Sequence, residues 1–123
     1  MTEIRAVDRR LSGSLGDVIA NVTVRGFFCE LIDILADLHE RVEIQHGPVD
    51  IRAEYAGNCI CRIVPYRELI HLHIGEAPVW EVRVRDEAAY LDAIDRILDV
   101  YLSIIAAAGR PARKYGRTSY LQR

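Results

Sequence analysis

Cysteine is scarce in this chain, and what there is does not pair off. The three cysteines are Cys29, Cys59 and Cys61, an odd number with no C-x-x-C spacing. That excludes a disulfide framework and favours a reducing compartment, so a cytoplasmic location is expected. Long hydrophobic runs are also missing. The longest, residues 104–108, is far below the roughly 20 residues that span a bilayer. The first residues carry Glu3, Asp8, Arg9 and Arg10 and no apolar core, so no secretory signal is expected. Lysine occurs once, as Lys114, against fifteen arginines.

Catalytic fingerprints are absent as well. There is no G-x-S-x-G, no H-E-x-x-H and no dinucleotide motif. Ser12, Gly13, Ser14, Leu15 and Gly16 hint at a phosphate loop, but the terminal Gly-Lys-Ser/Thr is missing. Acidic residues disappear after Gly109. Arg110, Arg113, Lys114, Arg117 and Arg123 give the last fourteen residues five positive charges, and the preceding body holds eleven basic residues against eighteen acidic, a net of −7.

What is present is alternation. Within residues 49–85 four short segments alternate apolar and polar side chains, as half-buried strands do. Val49, Ile51, Ala53 and Tyr55 form the apolar set of the first. Cys59, Cys61 and Ile63 form the second, Ile70, Leu72 and Ile74 the third, and Trp80, Val82 and Val84 the fourth. Turns at residues 56–58, 66–67 and 75–79 close these segments into an antiparallel meander with all four sets on one side. The closures predict Tyr55 opposite Cys59, Ala53 opposite Cys61, Ile51 opposite Ile63, Arg62 opposite His71, Ile60 opposite His73, His71 opposite Arg83 and His73 opposite Glu81.

Helical spacing flanks the meander. Val24, Phe28, Leu31, Leu35, Leu38 and Val42 recur at intervals of three and four, predicting a helix from about 26 to 43. Before it, Ser14 and Asp17 resemble a capping box. The run Val22, Thr23, Val24 suits a fifth strand at residues 17–24 better, with a long two-faced helix as the alternative. After the meander, Asp86 is a natural N-cap. Tyr90, Ile94, Ile97, Tyr101 and Ile104 then form one helix face, widened by Leu91, Leu98 and Ile105. Gly109 and Pro111 end that helix.

The expected fold is therefore a two-layer α+β domain over residues 14–109. It has a four- or five-stranded antiparallel sheet and two helices on one face. Residues 1–13 and 110–123 are expected to be flexible or partner-dependent tails.

The outward sheet face carries the main chemical candidates: Arg62, His71, His73, Glu81 and Arg83. Imidazoles serve as acids, bases or ligands, and guanidiniums hold anions. Cross-strand polar pairs also simply solvate an exposed sheet, which is the commoner situation. Two histidines and one glutamate make a thin zinc site beside two arginines, so no metal and no cofactor are expected. Cys59 and Cys61 are expected to point inward as small hydrophobes.

The basic tail, with Tyr115 and Tyr120, could contact nucleic acid, but the acidic body opposes this. Ile60, Val64 and Leu69 among the charges suggest that the outward face is covered by a second copy. The sequence thus favours a non-catalytic cytoplasmic binding or adaptor protein. It would act as a homodimer, engage a protein or small anionic ligand, and have no membrane role. A small enzyme using the His/Glu/Arg cluster and RNA binding through the tail are the alternatives.

Overall fold

The computed structural model describes residues 15–76 and 78–108. Its elements are α1 (Val22–Asp37), β1 (Val42–His46), β2 (Ile51–Tyr55), β3 (Asn58–Pro65), β4 (Ile70–Ile74), β5 (Trp80–Val84) and α2 (Glu87–Ala108). The strands form one antiparallel sheet in the order β1-β2-β3-β4-β5. Both helices pack on the same face of this meander, giving the α+β class that the alternation implies.

The fifth strand is not where the sequence reading put it. Residues 17–24 are not a strand. Asn21 takes an extended conformation, and its side-chain oxygen accepts a hydrogen bond from the Val24 amide at 3.0 Å, so α1 begins at Val22. A good cap outweighs the strand preference of one β-branched run. The capping box proposed at Ser14 lies outside the described residues.

At its other end α1 stops at Asp37, and Val42, Ile44 and His46 alternate with Glu43 and Gln45 in the edge strand β1. Gly47 closes the β1–β2 hairpin, its amide donating to the Asp50 carbonyl at 2.8 Å. A Cβ at Gly47 would run into the Asp50 carboxylate, so a larger residue here has to push that side chain aside.

Ile51 faces Ile63 and Ala53 faces Cys61 as expected, but the turn end of β2–β3 and the register of β3–β4 differ from expectation. The β2–β3 turn holds two residues, Ala56 (φ +52°) and Gly57 (φ +81°), the positive pair that a tight hairpin of this twist demands. Tyr55 therefore faces Asn58, Glu54 faces Cys59, and a bulge inserts Ile60 before Ala53 meets Cys61. Ile60 joins the core instead of the outward face, and Cys59 shares a rung with Glu54 instead of an inward one with Tyr55.

Between β3 and β4 the turn is four residues long, with the Tyr66 amide donating to the Leu69 carbonyl at 2.8 Å. Pro65 faces Ile70 and Arg62 faces His73. The slip is two residues, so each side chain keeps its face. The β4–β5 register is as expected, with His71 opposite Arg83, His73 opposite Glu81 and Ile74 opposite Trp80.

The core lies between sheet and helices. Phe28, Leu31 and Leu35 from α1 and Ala93 and Ile97 from α2 meet Ile51, Ile63, Leu72, Ile74 and Val84, all without solvent exposure. The helices are joined at their edges. Phe27 stacks on Tyr90 with ring centres 4.4 Å apart, and the Tyr90 hydroxyl donates to Glu30 Oε1 at 2.6 Å. Burial and the Glu30 carboxylate push the Tyr90 phenol well above its ordinary pKa. The apolar face of α2 is wider than this core requires. Leu91, Leu98 and Leu102 remain exposed on it.

Candidate functional site

The outward face of the sheet holds all five residues singled out from the sequence. The registers arrange them in two parallel rows. Gln45, Arg52, Arg62, His73 and Glu81 run across all five strands in one rung. Val64, His71 and Arg83 form the neighbouring rung. No described helix covers either row.

Two ion pairs and one histidine–carboxylate contact organise the face. Arg62 Nε donates to Asp50 Oδ2 at 2.5 Å, and Arg52 reaches Glu54 at 3.4 Å. His71 Nε2 stands 3.4 Å from Glu81 Oε1, on the diagonal between rungs. That nitrogen is enclosed yet makes no hydrogen bond among the described residues. Its contact with Glu81 becomes an ion pair only on protonation.

The rings of His71 and His73 lie 4.6 Å apart at 37°. The His73 pKa is lowered by desolvation first, then by His71 and Arg62, with Glu81 acting in the opposite direction. The guanidinium of Arg62 thus sits beside a histidine that resists protonation. In place of the expected Arg62–His71 contact, His71 is flanked by Val64 and Arg83.

The partners Asp50, Arg52 and Glu54 were not among the sequence-derived site residues. Asp50 meets Arg62 on the diagonal across the β2–β3 pair, whereas Glu54 meets Arg52 two residues away on the same strand. The basic residues Arg110, Arg113, Lys114, Arg117 and Arg123 lie outside the described residues. Among the described residues no group of three or more histidine, cysteine or acidic side chains is placed to hold a metal ion, and no helix is long and apolar enough to cross a membrane.

A concavity exists elsewhere. A cleft of about 720 Å³ lies between the C-terminal half of α2 and the adjoining ends of β3 and β5. Its lining includes Glu76, Trp80, Arg96, Asp99 and Ile104 and none of Arg62, His71, His73, Glu81 or Arg83. Trp80 faces α2 as expected but is 46% exposed, with the Arg96 guanidinium 4.3 Å from the ring centre. Comparison with protein-family models, curated proteins and solved structures gives no match.

Proposed function

We propose that this protein is a non-catalytic binding protein that associates with a second copy of itself through the outward face of its sheet. The charge layout of that face carries the reading. On β1 and β2, Glu43, Asp50 and Glu54 outnumber Arg52. On β3 to β5, Arg62 and Arg83 outnumber Glu81, before either histidine takes a proton. A face that is acidic at one side and basic at the other complements itself under a twofold rotation.

An axis parallel to the strands, between β3 and β4, brings β2 of one copy over β5 of the other. Arg52 then meets Glu81 of the partner subunit, and Asp50 meets Arg83 of the partner subunit. Val64 packs on the partner's His71, and Arg62 lies over the partner's His73, whose lowered pKa suits a cationic neighbour. Sheets packed face to face stand about 10 Å apart, within reach of these side chains.

Four strands of each copy, β2 to β5, overlap in this arrangement, a footprint of about 19 by 17 Å from strand spacing and rise. This is under half the standard of about 800 Å² per partner, so the dimer is weak. The mixed signs also favour a protein surface over a small anion, because Asp50, Glu54 and Glu81 lie among the guanidiniums. Catalysis by the same histidines is the weaker reading, since the cleft contains neither of them. The unpaired cysteines support a cytoplasmic setting.

The test is molar mass by light scattering from about 1 to 200 µM, a range that brackets a dissociation constant of about 10 µM. Mass is expected to rise to twice the monomer across that range. Glu81→Arg alone shifts the midpoint upward, and Glu81→Arg with Arg52→Glu restores it. A monomer at the highest concentration, or a swap that fails to restore association, defeats the reading.

A further inference from the structure

The geometry points to a second binding site on the opposite side of the sheet. We propose that the cleft beside α2 takes a small amphipathic amine, an apolar or aromatic body carrying one cationic nitrogen. The site is separate from the dimer face, and its success or failure is independent of it.

Size comes first. A volume of about 720 Å³ falls in the range of small-molecule sites, roughly 300–1,000 Å³. One glycine in the lining brings the backbone close to α2. Gly75 has φ +84°, and a Cβ there would stand 3.2 Å from the Pro78 carbonyl oxygen and 3.4 Å from Val100 Cγ2. The β4–β5 connection therefore lies close to α2 without a side chain filling the floor.

The lining is part apolar and part acidic. Trp80, Val100 and Ile104 supply apolar surface, and Glu76 and Asp99 supply two carboxylates. Asn58 and Ser103 add neutral polar groups. Arg96 is the one cation among the lining residues, and it is already engaged. Its Nε donates to Asp92 at 3.1 Å while its guanidinium rests on the indole. Two carboxylates against one guanidinium leave the lining with an excess of negative charge, which favours a cation over an anion.

One cation already rests on the indole ring, so the ligand's apolar body is what the remaining ring area takes. A tryptophan face attracts a cation within about 6 Å of its centre, and Arg96 exploits that here. The ring is still 46% exposed, leaving area for an apolar body to cover. Glu76 is held in place at the mouth by the Cys59 amide, which donates to its Oε2 at 2.8 Å. It is therefore a positioned carboxylate.

Trp80 is the single tryptophan of the chain, so its fluorescence reports on this cleft alone. The full chain is titrated with 2-phenylethylamine, with phenylacetate as the anion of matching size. The amine is expected to give a saturable change with a midpoint of about 1 mM, in line with the efficiency of small ligands. Phenylacetate is expected to give none. Glu76→Gln and Asp99→Asn each weaken the amine about threefold, the scale of a partly exposed charge contact. Both are surface substitutions, and an unchanged thermal unfolding curve establishes that each variant is folded. An equal response to both probes, a signal that does not saturate, or amine affinity unchanged in both variants overturns the proposal.

Discussion

The imidazoles of His71 and His73 lie side by side on β4 with ring centres 4.6 Å apart, both turned away from the helices. Two cations at that distance oppose each other, and Arg62 adds a third charge on the His73 rung. Desolvation is nevertheless the larger cause of the lowered His73 pKa.

A pH dependence follows, with a definite sign. In the unfolded chain His73 takes its proton near the ordinary value of about 6.5, and in the folded chain at a lower pH. Between the two, the unfolded state binds more protons, so stability falls as pH drops through that window and levels off below it. Urea midpoints measured from pH 8 to 5 are expected to decline below about 6.5, and His73→Gln to flatten the decline. A decline of the same size in the variant would assign it to other groups.

Ala56 is the residue out of place in the tightest turn. Its φ of +52° precedes Gly57 at +81°. An L-residue with a Cβ pays about 1–2 kcal/mol for that conformation, while Asn-Gly is the favoured pair for the turn. Ala56→Asn is expected to stabilise the protein by about 1 kcal/mol in urea unfolding. No gain, or a loss, would mean that the turn is not of this type.

How far the fold could be read in advance follows from parity. Strand alternation placed Leu72, Ile74 and Val84 inward and His71, His73 and Arg83 outward, as the structure has them. The β3–β4 turn was misjudged, but by two residues, and a period of two forgives an even slip. The bulge at Ile60 is an odd insertion, and it alone moved residues between faces. β1 was overlooked because Val42 also fits a helical interval from Leu38, and the two periods coincide over so short a run. The cleft was not legible at all. Its walls come from positions as distant as Cys59, Trp80 and Ile104, and only the folded sheet brings them together.

The position of Trp80 changes what its removal costs. A ring fully buried beneath a helix would lose about 3–5 kcal/mol on truncation to alanine. At 46% exposure on the edge strand β5, about 1–2 kcal/mol is expected from the area it does bury. Leu72, central and without solvent exposure, is expected to lose about 2–5 kcal/mol as Leu72→Ala. Equal losses in denaturant titrations of the two variants would place Trp80 in the core after all.

The three thiols form a graded series. Cys29 is exposed, Cys59 is half-buried and Cys61 is fully buried. Burial raises the pKa of Cys59, with Glu76 adding to the effect, and raises that of Cys61 much further. The thiolate is the reactive form, so both burial and pKa slow the inner two. With Ellman's reagent at neutral pH, Cys29 is expected to react first and Cys59 more slowly. Cys61 has to wait for global opening, so its rate follows the unfolding equilibrium and rises with added urea. The assignment is made with Cys29→Ser and Cys59→Ser variants. A Cys61 thiol that reacts in native buffer as fast as Cys29 would mean that the β3 bulge does not seal it into the core.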